Sequence, residues 1–295
     1  MEKFNINQLA QFSGIKAHTI RMWEQRYHAL QPKRTERNIR LYSNKDLKRL
    51  LNIASLLKYN YKISEISSLT DAGLSEKILT HQLTGIQTTG MEPYILQLIS
   101  SGLNFDELHF EKIFSHCILR YGLKKTYMEI IFPLLDRLGI MWAGETLPPA
   151  QEHFISNLIR KKMFTAIDSL PPPKNQDSWL LFLPEDEFHE LALLYAHFSI
   201  LQSGAKVIYL GSNLPFSSVI DSIKSIDPKY LLLFFVHQDF PLDIKKYLEK
   251  VLKNFKGDKI YACGRASLLE DSKRLPKVDC LHSAIELEQV LIGSV

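Results

Sequence analysis

"INQLAQFSGIKAHTIRMW", Ile6 to Trp23, decides the fold of the first part of the chain. Ala10 is followed four residues later by Gly14, and Ile20 comes six residues after that. The spacing suits two short helices that meet across a tight turn. A small residue on the first helix lets the second approach, the glycine takes the turn, and the isoleucine locks the pair. Leu9, Ile15 and Trp23 fill the other inward positions at helical spacing. Asn5 is placed to cap the first helix. The second helix, about Ala17 to Tyr27, then shows His18, Thr19, Arg21 and Met22 near its exposed N-terminal face. Side chains in that place contact base edges when such a helix lies in a major groove.

The next stretch, "LQPKRTERNIRLYS" from Leu30 to Ser43, is short, rich in arginine and broken by Pro32 and Asn38. It predicts a two-stranded wing with its turn near Glu36 to Asn38. Lys33, Arg34, Arg37 and Arg40 would follow phosphates, and Tyr42, in the same DNA-contact set, would pack or bond to the backbone. The charge distribution agrees. Residues 1–60 hold twelve Lys and Arg against four Asp and Glu, a net +8, whereas the whole chain is +4, so the remainder carries −4. A basic end on a mildly acidic body is an electrostatic footprint for nucleic acid.

"IRMWEQRYHALQPKRTERNIRLYS", Ile20 to Ser43, resembles the winged-helix DNA-binding domain of MerR-type bacterial transcription regulators. Ile20-Arg21, Trp23-Glu24, Arg26-Tyr27, Leu30, Pro32, Arg34-Thr35, Arg40 and Tyr42 fall in register with it. Residues 44–70 continue as the two further helices of such domains. The resemblance implies a dimeric reader of pseudo-palindromic promoter DNA, with Arg26 and Tyr27 joining the contact set. The Trp-Glu-x-Arg-Tyr form is similar to the subgroup that carries large sensor regions.

From about Leu74 to Leu170, apolar residues recur at spacings of three and four in "MEPYILQLISSGL", "FEKIFSHCILRYG", "TYMEIIFPLLDRLGIMW" and "HFISNLIRKKMFTAIDSL". Four antiparallel helices in a bundle are expected, with Gly102, Gly122 and Gly144 at helix ends. Asp106 and Glu107, just ahead of His109, suit the first turn of a helix. Pro148, Pro149 and Glu152 suit the start of the last helix for the same electrostatic and donor-count reasons. Those local rules leave Trp142 and His153 unaccounted for.

"SLPPPKNQDSW" is a proline-rich break. Beyond it, apolar runs alternate with amphipathic ones: strands at "SWLLFLP", "AKVIYLG", "KYLLLFFV", "KIYACG" and "VDC", with helices between. This pattern predicts a parallel sheet covered on both faces, of flavodoxin-like type, with ligands at the carboxyl ends of its strands. The chain has no GxGxxG and no phosphate-loop lysine, so neither a dinucleotide nor a nucleoside triphosphate is favoured. A lone His189 at a helix start ordinarily faces water.

"EFHELA", Glu187 to Ala192, resembles the Asp-x-His-x-x-Gly motif of cobalamin-binding domains, with Glu187 for the acid and Ala192 for the glycine. The resemblance implies that His189 ligates cobalt from below and that Glu187 bonds its other ring nitrogen. Gly264, and Ser212 after the second strand, join the implied cofactor-binding set. A tryptophan, nine residues, then Glu-His in a helical cap is similar to the adenosylcobalamin-dependent light-sensing repressors of MerR type. There Trp142, Glu152 and His153 would cover the upper face. The chain departs from that pattern at Ala143, where a cobalt-capturing histidine would follow the tryptophan, at Ala192 and Cys263 in place of glycines, and at "VHQD" in place of Ser-x-Leu.

The remaining totals fit a cytosolic protein of 295 residues, 45% hydrophobic and 23% charged. No apolar run reaches the roughly 18 residues of a membrane span, and no secretory leader opens the chain. Cys117, Cys263 and Cys280 form no CxxC pair and sit in apolar surroundings, as buried thiols of a reducing compartment do. The expectation is a multidomain regulator and not an enzyme. Its parts are a winged helix-turn-helix over 1–73, a four-helix bundle over 74–170 and a flavodoxin-like α/β domain over 177–295. Its partners are promoter double-stranded DNA, adenosylcobalamin, a second copy as dimer or tetramer, and a protein antirepressor. A sensor region that binds a protein partner or another small ligand instead, and a methyl-carrying corrinoid enzyme module, are the rival readings. The basic winged helix argues against the second of these.

Overall fold

The computed structural model describes residues 3–84, 90–143, 149–174, 177–236 and 243–293. Two compact units divide the chain, Met1–Leu158 and Ile159–Val295, and each is taken by itself.

The first unit opens with β1 (Lys3–Phe4) and α1 (Ile6–Ser13). Asn5 caps α1 as predicted: its side chain accepts from the Asn7 and Gln8 amides, and Gln8 returns a bond to the Asn5 amide. Gly14 has φ 69 and gives its N–H to Ala10, so the turn needs a residue at ease in left-handed backbone. α2 (Ala17–Tyr27) follows, with Leu9, Phe12 and Ile20 fully buried between the two helices and their neighbours. The wing is β2 (Lys33–Arg34) against β3 (Arg40–Ser43), antiparallel, with Asn38 in left-handed backbone at its turn. β1 pairs on the other side of β3, a third strand that the sequence pattern did not announce.

α3 (Asn44–Lys58) starts on a capping box between Ser43 and Asp46. After α4 (Ile63–Ile66) and α5 (Asp71–Thr84) comes α6 (Glu92–Leu103), buried along nearly its whole length. α6 packs against α3, so the winged helix-turn-helix segment and the helical segment share one core. Gln97 on α6 donates to Asn52 on α3, both buried, and α7 (Glu107–Tyr121) brings His109 to Gln97. Burial holds the His109 imidazole below its usual range. Gly102 is the penultimate residue of α6, at the helix end as expected. A Cβ there would collide with Ile155, so glycine serves the close approach of two helices. Gly122 does close α7, with φ 78, whereas Gly144 lies outside the described residues.

The third helix of this segment is not regular. α8 (Leu123–Thr126) runs into a π turn over Tyr127–Ile131 before α9 (Phe132–Ala143). Pro133, which has no N–H to give to the carbonyl four residues back, sits just beyond the wide turn. α10 (Pro149–Asp168) supplies residues 149–158 to this unit and opens on a proline at its first position. Pro148 lies outside the described residues.

The second unit is a five-stranded parallel sheet in the order β5-β4-β6-β7-β8. The strands are β4 (Ser178–Pro184), β5 (Lys206–Leu214), β6 (Tyr230–Phe235), β7 (Lys259–Gly264) and β8 (Val278–Leu281). Between them lie α11 (Glu190–Gln202), α12 (Phe216–Ile226), α13 (Ile244–Leu252) and α14 (Ala266–Leu269), and α15 (Ala284–Gly293) closes the chain. Alternate residues of each strand face opposite sides. Leu180, Phe182, Leu231, Leu233 and Ile260 meet α12 and α13, while Trp179, Leu181, Leu232 and Tyr261 meet α11 and α15. The chain leaves β4 for β5 on one side and returns to β6 on the other. The carboxyl ends of β4 and β6 therefore flank the switch point where such sheets bind ligands.

Candidate functional site

Two constellations stand out, one in each unit. In the first, His18, Arg21, Met22 and Arg26 are exposed on α2, and Thr19 and Tyr27 are half-buried. The Arg26 guanidinium lies over the Tyr27 ring at 5.4 Å. Lys33, Arg34 and Arg37 are exposed on the wing, and Arg34 donates to Asn38 across its turn. Ile39, 55% exposed on the same wing, is an apolar side chain in water that the reading of the arginines passed over.

Glu24 organises this surface from beneath. Its side chain is 7% exposed, and its carboxylate accepts from the Tyr42 hydroxyl and, at 2.9 Å, from Arg40 Nε. Tyr42 is fully buried, so its assignment to the DNA surface is corrected: ring and hydroxyl are used inside the unit to fasten the wing to α2. Burial, with the bond to Glu24, raises its phenol well above the usual range and keeps it a donor. Arg40 is half-buried and serves the same lock. Trp23, at 8% exposure, is core.

In the second unit the key group is Glu187, fully buried at the carboxyl end of β4. Asp186 before it takes φ 66 and lets the chain turn sharply there. One Glu187 oxygen accepts from the amides of Phe188 and His189 at 3.1 Å each and from His189 Nδ1 at 2.5 Å. The other accepts from the Val236 amide, just past β6, at 2.8 Å. The carboxylate thus bridges the two strand ends that flank the switch point. The His189 side chain is 54% exposed. The carboxylate holds Nδ1 and so fixes the orientation of the ring.

This donor set offers one imidazole that would hold a metal. Among the described residues, no group of three or more His, Cys, Asp or Glu could cage a metal ion. A metal that arrives already chelated in a macrocycle needs only one such ligand. Gly264 has a different explanation. A Cβ on it would stand 2.5 Å from the Phe235 carbonyl, so the contact between β6 and β7 requires glycine there without any cofactor tail. Ser212 is half-buried near the end of β5, and Ala192 is half-buried one turn into α11. Burial pushes the Cys117 thiol up to about 12 and that of Cys263 higher, so both are inert, and Cys280 is half-buried.

Of the three residues assigned to an upper face, Glu152 is half-buried in the first turn of α10 and contacts His153 Nδ1 at 3.1 Å. His153 is 73% exposed. Trp142 is on α9, and its side chain lies outside the described residues, as does that of Ala143. "VHQD" is described only as far as Val236.

Residues that sequence reasoning missed surround the His189 loop: Val236 through its amide, Asn213, Tyr209, Glu190 and Arg160. A backbone donor has no residue-type signature. The others are ordinary polar residues whose meaning depends on strand order.

The family matches cover the winged helix-turn-helix and the helical segment after it, and stop short of the sheet that carries His189. Residues 4–73 match the family of MerR helix-turn-helix regulatory proteins, and residues 95–166 match the B12 binding domain. The transcriptional repressor CarH of Myxococcus xanthus is 25% identical over 231 residues, 77% of either chain. The repressor CarA of the same organism is 25% identical over 249 residues, 84% of this chain and 82% of its own. A monomethylamine corrinoid protein of Methanosarcina barkeri shares the fold over 67% of this chain and 96% of its own, with a TM-score of 0.54 and 12% identity. Among the described residues, no helix is long and apolar enough to cross a membrane.

Proposed function

We propose that this chain, a MerR-type helix-turn-helix transcription regulator with a B12-binding domain and not an enzyme, senses adenosylcobalamin and converts its presence into altered promoter binding. The observation that carries the reading is the Glu187–His189 pair. A fully buried carboxylate holds one nitrogen of a half-exposed imidazole, at the strand ends where this fold takes its ligands. His189 would be the lower ligand of cobalt, and Glu187 would set its tautomer. From the resemblance, Trp142, Glu152 and His153 would contact the upper face. When bound, the cofactor supplies a cobalt–carbon bond that light can cleave.

On the DNA side, His18, Thr19, Arg21 and Met22 would read base edges, and Arg26, Lys33, Arg34 and Arg37 would hold phosphates. The matched relatives are named repressors, which supports repression as the direction of control. A ligand that favours one assembly state shifts DNA affinity by linkage, so self-association as a dimer or tetramer belongs to the same proposal. The working parts are then residues 1–73, 74–170 and 177–295, acting in the cytoplasm where promoter DNA is.

The test is direct. The purified full chain is mixed with adenosylcobalamin in the dark, excess is removed by gel filtration, and the visible spectrum is read. Stoichiometric retained corrinoid is expected. A colourless protein fraction overturns the cofactor reading and leaves a regulator that answers to another ligand or to a protein.

A further inference from the structure

His189 is the residue before α11, and its side chain gives that helix no cap. The Glu187 carboxylate holds the Phe188 and His189 amides, and a second set of contacts holds the chain on either side of them. On the upstream side, Asn213 of β5 accepts from the Asp186 amide through Oδ1 at 3.0 Å and donates its own amide to the Glu187 carbonyl at 3.1 Å. On the downstream side, the Glu190 carboxylate accepts from the Tyr209 hydroxyl of β5 at 2.8 Å. Its other oxygen lies 2.9 Å from Arg160 Nε, on the part of α10 that belongs to this unit.

Tyr209 is itself pinned. The His197 ring stacks on it at 4.9 Å between centroids, and Phe164 of α10 meets it edge-on at 6.4 Å. Burial lowers the His197 imidazole to about 4, so this ring is a neutral packing surface at ordinary pH. β5 is the edge strand of the sheet, paired with β4, from whose end the His189 loop departs; the pairing shifts register at Leu181–Phe182 and again at Phe182–Pro184. Two residues of one strand therefore tie down the chain on both sides of His189.

We propose that Tyr209 and Asn213, with Glu190 and Arg160, are positioning residues for His189, and that the edge strand β5 is the template that sets where its imidazole stands. Glu187 orients the ring and holds the Phe188 and His189 amides, and the β5 brace fixes the chain on either side, at Asp186–Glu187 and at Glu190. The inference rests on the reading of His189 as a cobalt ligand for its consequence, but the brace can be measured without any corrinoid.

Two variants separate the brace from general stability. Tyr209→Phe removes the hydroxyl and keeps both ring contacts. Asn213→Gly removes the side-chain acceptor and tolerates the left-handed backbone at that site, φ 57. In the ligand-free full chain, hydrogen exchange of the Phe188 and His189 amides is expected to accelerate about tenfold in either variant and more in the double variant, while core strand amides keep their protection. Loaded with hydroxocobalamin, the variants should lose corrinoid about 10–100-fold faster and show less of the imidazole-ligated spectrum. Asn213→Asp, which keeps the acceptor, should restore most of both.

Wild-type exchange at Phe188 and His189 in the double variant overturns the proposal. So does corrinoid release from the double variant at the wild-type rate, where the wild-type chain retains corrinoid. If the wild-type chain retains no corrinoid while amide exchange still accelerates in the variants, the brace stands and the cofactor reading falls.

Discussion

Each unit buries one glutamate at the centre of its functional surface, and the two are used differently. Glu24 accepts from two side chains of the wing, Arg40 and Tyr42. Glu187 accepts from three backbone amides and one imidazole. The partners of Glu24 are half-buried or buried, so its product is a shape: a wing held at a set angle to α2. One partner of Glu187 is half-exposed, so its product is an oriented ligand atom. A buried carboxylate tells of structure or of chemistry according to whether every partner it holds is itself enclosed.

The largest expected effect tests the second glutamate. Glu187→Ala strips the acceptor from four donors, at a cost of about 1–3 kcal/mol for any donor left buried and unsatisfied. Corrinoid retention should fall at least 10–100-fold, and the second unit should melt earlier in calorimetry. Promoter affinity of the ligand-free chain, read by fluorescence anisotropy, should not change. A variant that keeps corrinoid with the imidazole-ligated spectrum would break the contrast, because Glu187 would then be structural like Glu24.

Glu24→Ala should act in the opposite sense and more mildly. The Tyr42 hydroxyl is left buried without its acceptor, at a cost of about 1–3 kcal/mol to the first unit. The wing loses its tie to α2, so DNA binding should weaken for specific and non-specific sequences alike. Corrinoid retention should hold at the wild-type level. Loss of corrinoid in this variant would show that Glu24 does more than set the wing.

What could be read in advance follows from distance along the chain. The Asn5 cap and the Gly14 turn join residues within a few positions, and each was legible; the Glu187–His189 pairing came only through the resemblance to the Asp-x-His-x-x-Gly motif. The alternation of apolar runs foretold five parallel strands. Bonds across longer separations were not legible: Val236 to Glu187, Arg160 to Glu190 and Gln97 to Asn52 depend on which elements become neighbours. Gly102 and Gly264 show the same limit from another side. Both looked like local signals, a helix end and a cofactor cradle. Gly102 does sit at a helix end, but both are glycine because a distant part of the chain, Ile155 or Phe235, comes too close for a side chain.

The smallest effect sharpens the comparison within the first unit. Arg37 and Arg40 share the wing, and by charge alone they are equivalent phosphate contacts. Arg37 is exposed, while Arg40 is paired with Glu24 and half-buried. Arg37→Ala should leave the melting temperature unchanged and lower the slope of log affinity against log salt by about 0.9, one released counterion. Arg40→Ala should instead lower stability, because it leaves Glu24 buried with one partner fewer, and its effect on DNA should persist at high salt, where counterion release contributes least. If both variants changed only the salt slope, Arg40 would be a phosphate contact after all, and Glu24 would hold the wing through Tyr42 alone.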